Sequence, residues 1–242
     1  MTTTDYQSLW ESWDDMIRYS PAPFHRRRLI LSLARSLQFE TVLDVGCGTG
    51  EMLAAFAHEF AGRRLRLGGV DVAHGAIEQA CRRLPAAQFE VLDLESQALR
   101  ASSDLVVCSE VLEHCERLAD AVANLGRMTA AHLIVTVPAG PRLPIDRAVG
   151  HKRHFTPRSL ADELRAGGFE PVSVRRWGFP FHSAYKLAIN ARPEAMLEKF
   201  ASGAYSPWQR AFATAARLLF YPSVPGLGWQ LIALARPVRR NA

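Results

Sequence analysis

The chain has 242 residues, of which 48% are hydrophobic and 22% charged, a balance that suits one α/β domain with a sizeable core and needs no second domain. The polar, acidic and aromatic start, MTTTDYQSLWESWDD, argues against a signal peptide, and the apolar run from Ala211 to Tyr221 is too short to span a bilayer and carries Arg217, so a cytoplasmic protein without stable membrane insertion is expected. The net charge of +5 and the pI of about 9.3 come from short basic clusters at Arg26–Arg28, Arg63–Arg66, Arg82–Arg83 and Arg239–Arg240, a dispersal that fits a solvated surface and not a nucleic-acid groove.

In chain order, an amphipathic, Trp-containing region from Tyr6 to Tyr19 leads through Ser20-Pro21-Ala22-Pro23 into a helix over His25–Leu37. Strand-like runs follow at TVLDV, RLRLGGVD, QFEVLD, DLVVCS and HLIVTVP, separated by helical spacing over Glu51–Phe60, Gly75–Leu84 and Leu118–Met128. A Pro- and Gly-rich loop, AGPRLPIDRAVGHKRHF, precedes a helix opened by Thr156-Pro157 and closed by Gly167-Gly168. A strand over Phe169–Trp177, a mostly helical aromatic insertion from about Ser183 to Tyr221 and a last strand over Gly228–Ala235 complete the chain. The alternation predicts a doubly wound, mostly parallel seven-stranded sheet, Rossmann-like, with ligands at the carboxyl ends of its strands. Within the single domain, residues 1–38 form a helical cap, 39–180 the core and 183–222 an insertion before the last strand. Cys47, Cys81, Cys108 and Cys115 lack a framework spacing and read as reduced thiols.

The stretch TVLDVGCGTGE places Gly46, Gly48 and Gly50 between a strand and its helix. A nucleoside-triphosphate loop needs four residues between glycines and then Gly-Lys-Ser/Thr, which is missing. A dinucleotide fingerprint needs a glycine where Glu51 stands, and an acid there repels a pyrophosphate. What remains is a turn against which a ligand without phosphate lies on bare backbone.

VLDVGCGTG resembles the first motif of class I S-adenosylmethionine (SAM)-dependent methyltransferases. The resemblance implies that Asp44 helps hold the methionine end and that Gly46, Cys47, Gly48 and Gly50 border the cofactor. GGVDVA is similar to the second motif, in which Asp71, followed by Val72, binds both ribose hydroxyls. FEVLDLE resembles the third, with Asp93 accepting from the adenine amino group and Leu94 supplying a backbone donor. DLVVCSEVLEHCE resembles the fourth-strand motif of small-molecule O-methyltransferases related to the quinone-biosynthesis group, with Ser109 and Glu110 at the cofactor and Val111 and Leu112 starting the acceptor wall. The likeness covers residues 40 to 180 well. Ala73 departs from it, standing where a hydroxyl residue is frequent, and the acid-or-amide Pro-Pro-aromatic motif of adenine methyltransferases is absent.

Methyl transfer is an in-line displacement, so the protein mainly aligns the acceptor and excludes water, and an alcohol or carbon acid also needs a base. His114, His151 and His154 are the candidates, since imidazole titrates near neutrality, with a structural His-Lys-Arg-His loop as the alternative reading. Lys152 and Arg153 are expected to lower the pKa of a neighbouring imidazole. No metal site is expected, because Cys108, His114 and Cys115 lack a zinc-like pair spacing. Tyr6, Trp10, Trp13 and Tyr19 in front, and Phe179, Phe181, Tyr185, Trp208, Phe212, Phe220 and Tyr221 behind, are expected either to pack the core or to roof the pocket over an aromatic or partly apolar small-molecule acceptor. The expected activity is O-methylation of a secondary metabolite. Carbon or nitrogen methylation, another SAM-dependent alkylation such as a ring closure, and a non-catalytic accessory module that binds SAM or its product are the alternatives. Association into a homodimer is left open.

Overall fold

The computed structural model describes residues 18–194, 196 and 205–238. The seven strands are β1 (Thr41–Val45), β2 (Arg66–Asp71), β3 (Gln88–Val91), β4 (Ser103–Ser109), β5 (Thr129–Pro138), β6 (Phe169–Trp177) and β7 (Gln230–Pro237). They form one sheet in the order β3-β2-β1-β4-β5-β7-β6, with β7 antiparallel to both its neighbours and every other pair parallel. The sheet is therefore mostly parallel and doubly wound, as the strand–helix alternation requires. The expected Tyr6–Tyr19 helix lies almost wholly outside the described residues.

Period-two alternation within the strands feeds two cores. On one face Val106 and Cys108 of β4, Leu133, Val135 and Val137 of β5, and Leu231 and Ala233 of β7 pack with Leu125 of α4 (Leu118–Met128) and Leu160 and Leu164 of α6 (Pro157–Ala166). On the other, Leu105 and Val107, Ile134 and Ile232 meet Ile30 and Ala34 of α1 (Pro21–Ala34) and Leu53 and Phe56 of α2 (Glu51–Glu59). A third helix, α3 (His74–Arg83), joins β2 to β3.

Several boundaries differ from the sequence expectation. Helix α1 starts at Pro21, because proline suits the first turn, where its missing N–H would have no helical partner. The loop after β5 contains a short helix, α5 (Pro144–Ala148), also opened by proline, with the Leu143 N–H donating to Asp146 at 2.8 Å. Strand β5 begins three residues earlier, at Thr129. Strand β7 starts at Gln230 because Gly228 has a left-handed φ of 122° and packs its bare Cα against Trp177, whose carbonyl oxygen would lie 2.0 Å from an added Cβ. The insertion holds α7 (Phe181–Asn190) and α8 (Pro207–Leu219).

The turn after β1 is where the sheet's geometry becomes a site. Gly46, Gly48 and Gly50 all have positive φ, at 74°, 51° and 81°. The N–H groups of Gly46 and Cys47 both donate to the Val70 carbonyl, at 2.8 and 3.0 Å, tying the turn to β2. A Cβ on Gly46 would sit 2.2 Å from Val111 Cγ2, so this glycine also lets the loop after β4 close over the turn. Gly46→Ala is expected to destabilise the fold by about 1–3 kcal/mol through overpacking and left-handed strain, and Val111→Ala in the same chain to restore part of it, as read by denaturant unfolding.

Candidate active site

A chamber of about 620 Å³ opens over the carboxyl ends of β1, β2 and β4 and is closed on its far side by α1, the loop after β5 and α7. Asp44, Gly46, Cys47, Asp71 and Val72 line it from β1 and β2, and Asp93, Leu94, Ser109 and Glu110 from the ends of β3 and β4. Gly48 and Gly50 do not line it; they shape the turn from behind. Gly48 N–H donates to Asp71 Oδ2 at 2.9 Å, and Gly50 caps α2, facing Ala80 of α3.

The two carboxylates nearest the turn are buried without being equivalent. Asp71 accepts from Gly48 on one oxygen and from Ala73 N–H on the other, both at 2.9 Å, and each oxygen keeps acceptor capacity toward the chamber. Burial still raises its pKa above the usual carboxylate range. Asp44 is 3% exposed; burial first, and then the Asp71 charge, push it up to about 7. Burial likewise raises the Cys47 thiol, so it is not a nucleophile.

Glu110 has a left-handed φ of 58°, strained for a non-glycine, and is held there from three sides. Its N–H donates to the Thr136 carbonyl at 2.9 Å, its carboxylate accepts from Thr136 Oγ1 at 3.1 Å, and Arg26 of α1 pairs with it at 3.1 Å. Ser109 Oγ also meets Thr136 Oγ1, at 2.8 Å. Asp93 closes its own turn, accepting from Glu95 N–H and Ser96 Oγ at 2.9 Å each.

The three histidines do converge. His151 and His114 line the chamber with rings 4.8 Å apart and perpendicular, while His154 stands behind His151 and does not line it. His154 Nδ1 lies 3.1 Å from the Gly140 carbonyl, which only an N–H can satisfy. His154 Nε2, 3.1 Å from His151 Nδ1, is then the acceptor in a neutral pair. His151 in turn carries its proton on Nδ1 and has its lone pair on Nε2. All three rings are held below the usual imidazole pKa, chiefly by burial, His151 to about 2.

Lys152, ion-paired with Glu116, lowers His114 as expected, while other cations weigh more on His151 and His154. His151 is depressed further by His114, His154, Lys186 and Arg142. Lys186 is a buried residue of α7 whose Nζ lies 3.1 Å from Asp146 Oδ1, and Asp146 stands 3.8 Å from His151 Nδ1 and 3.7 Å from His154 Nε2. Sequence reasoning missed Asp146, Lys186 and Arg26. It also passed over Glu113, fully buried with neither carboxylate oxygen bonded among the described residues and its pKa raised well above the carboxylate range by burial and Glu110. Glu113, His114 and His151 offer ligand atoms within 4.8 Å of one another, as do Asp146, His151 and His154, groupings that linear spacing did not reveal. In the second group the Lys186 ammonium already neutralises the carboxylate.

The aromatic roof is smaller than expected. Tyr6, Trp10 and Trp13 lie outside the described residues, and of the rear aromatics only Tyr185 lines the chamber. Trp208, Phe212 and Tyr221 are exposed, as are Phe179 and Phe181. Phe220 is buried and ties α1 to the insertion, its ring 5.7 Å from those of His25 and Tyr185 and 6.0 Å from that of His182. All four cysteines are free, and Cys81 is exposed. No helix among the described residues is long and apolar enough to cross a membrane.

Residues 43–131, the span from the middle of β1 through the start of β5, match the methyltransferase-domain family, so this part of the chain carries a methyltransferase domain. It is 28% identical over 208 residues to the ubiquinone biosynthesis O-methyltransferase of Bordetella avium, covering 74% of this chain and 83% of that one. In fold it is similar to the N-methyltransferase NodS of Bradyrhizobium japonicum in complex with S-adenosylhomocysteine, with TM-score 0.62, 20% identity and coverage of 97% and 98%. It is also similar to the [4+2]-cyclase SpnF, with TM-score 0.60, 18% identity and coverage of 90% and 83%. The methyltransferase acts with SAM as its cofactor.

The raised pKa of Asp44 has a sign that can be read in the ligand-free protein. Its folded value, about 7, lies above the unfolded 3.8, so its contribution to stability is full below the unfolded value and lost as pH rises through 7. Asp71, raised in the same direction, adds to it. Unfolding free energy is expected to fall by on the order of 2–3 kcal/mol between about pH 5 and pH 8 from Asp44, and Asp44→Asn to remove that fall, as followed by urea denaturation.

Proposed function

We propose that this methyltransferase transfers the methyl group to a hydroxyl oxygen of a small, partly aromatic acceptor of the kind found in secondary metabolism, with His151 as the base. The observation that carries the reading is the ordered pair of imidazoles, in which the Gly140 carbonyl fixes His154 and His154 fixes His151, so that the only uncommitted ring nitrogen of the pair belongs to the histidine that faces the chamber.

SAM, when bound, supplies a sulfonium methyl open to in-line attack. The residues present fit it: a buried carboxylate whose pKa has risen to about 7 is one that a cationic ligand relieves, so Asp44 would hold the ammonium end. Asp71 would take the ribose hydroxyls, Asp93 and Leu94 would border the adenine, and Ser109 and Glu110 would separate cofactor from acceptor. As methyl transfer proceeds, the acceptor hydroxyl gives up its proton to His151 Nε2. His154 and Asp146 stand behind the resulting imidazolium, the carboxylate within 3.8 Å of both rings.

The low pKa of His151 keeps it neutral throughout the working range but makes it a weak proton acceptor. That favours an aromatic hydroxyl over an aliphatic alcohol. The similarity to a ubiquinone-biosynthesis O-methyltransferase supports oxygen as the acceptor atom. A ring closure on the same fold is the second reading, favoured by the likeness to a [4+2]-cyclase. Acceptor converted without consumption of SAM would select it.

SAM and S-adenosylhomocysteine are expected to raise the melting temperature and nicotinamide dinucleotides to leave it unchanged, with Asp71→Ala weakening that response. His151→Ala is expected to lower kcat by about a hundredfold with SAM affinity retained, and His154→Ala to lower it less. Equal turnover per folded molecule in wild type and His151→Ala would remove His151 as the base. Because His151 stays neutral, the acid limb of kcat/KM near neutral pH is expected to follow Asp44 and to persist in the His154 variant.

A further inference from the structure

We propose, on the reading that this chamber methylates a hydroxyl, that His182 and Gln230 form a second subsite within it that takes another, non-reacting hydroxyl of the acceptor. Both side chains line the chamber and both are 5% exposed, yet His182 Nδ1 and Gln230 Oε1 have no hydrogen-bond partner among the described residues. Buried polar atoms are rarely left so, because each has given up its water without a replacement.

The two lie in one corner. Gln230 opens β7 directly opposite Trp177, the last residue of β6, and the Trp177 ring stands 5.2 Å from that of His182. Trp177 Nε1 and Ser183 Oγ, in the same corner, are also without partners among the described residues.

The chemistry of the corner selects its occupant. Burial, helped by Lys186, Arg26 and His25, holds His182 to about 3, so its ring is neutral. Gln230 Oε1 can only accept, so the occupant must donate to it, which a carboxylate or a ketone cannot do. A neutral imidazole nitrogen takes whichever part is left. A hydroxyl donates once and accepts as well, and so satisfies both atoms.

The helix sets the distance to the reacting end. His182, Tyr185, Lys186 and Ile189 share one face of α7, and all four line the chamber. Lys186 reaches Asp146 beside the histidine pair, and His182 lies one turn away, about 6 Å along the axis. The acceptor therefore carries its two hydroxyls on opposite sides of an aromatic framework, one at His151 and one at His182.

The test uses the full chain saturated with S-adenosylhomocysteine and calorimetric titration with three pairs of probes: resorcinol and phenol, hydroquinone and phenol, and para,para-biphenol and para-phenylphenol. In at least one pair the diol is expected to bind wild type about tenfold more tightly than the mono-hydroxyl compound. Gln230→Leu and His182→Phe are expected to reduce that ratio to within about twofold without weakening the mono-hydroxyl partner. No diol preference in wild type, a result that needs no variant to fold, overturns the proposal, and so does a preference that survives both substitutions, since water then fills the corner. Turnover with SAM separates the two readings. Methyl transfer without diol preference removes the subsite and leaves the function; diol preference without transfer to any probe, in a protein that binds SAM, keeps the subsite and removes hydroxyl methylation.

Discussion

The hydrogen bond from the Gly48 N–H to the Asp71 carboxylate joins the turn after β1 to the end of β2, and this side of the chamber is built around it. With the Ala73 N–H on the other oxygen, it commits one lone pair of each oxygen of a buried acid to backbone and leaves acceptor capacity toward the chamber. Burial, and after it the Asp71 charge, is why Asp44 resists ionisation. The three glycines of that turn all have positive φ, and at Gly46 a side chain would collide with Val111 of the loop after β4.

The opposite side of the chamber rests on a different principle. Its polar groups come from five separate segments: Arg26 from α1, Glu110 to His114 after β4, Asp146 to His154 after β5, His182 and Lys186 from α7, and Gln230 from β7. Charges are paired across these segments, Arg26 with Glu110 and Lys186 with Asp146, so each ion pair is also a strut between elements remote in sequence. Burial then does the electrostatic work. It drives Glu113 toward the neutral acid and the histidines toward the neutral base, which leaves the chamber with dipoles and a few fixed pairs in place of mobile charge.

How much of this was legible in the sequence follows from the range of each signal. The strand–helix alternation and the glycine turn are local, and they foretold the sheet and the places of Asp44, Asp71 and Asp93 at successive strand ends. The gathering of His114, His151 and His154 was legible because all three follow strand ends on one edge of the sheet. Which of them faces the chamber was not, since that depends on the Gly140 carbonyl, reached only once the loop after β5 has folded back on itself. Lys186 and His182 looked like ordinary positions in an amphipathic insertion. Nothing at helical spacing distinguishes a lysine that enters a chamber from one that meets solvent, and His182 packs against Phe220, which stacks in turn on His25 of α1. The prolines at 21 and 144 were read as loop signals, whereas each starts a helix.

The left-handed backbone at Glu110 separates the two halves at a single residue. Its carboxylate is aimed by Thr136 from the sheet and by Arg26 from the cap, so it reports on both at once. Displacing α1 would release Arg26, and with it one of the three restraints that hold this strained residue between the cap and the sheet.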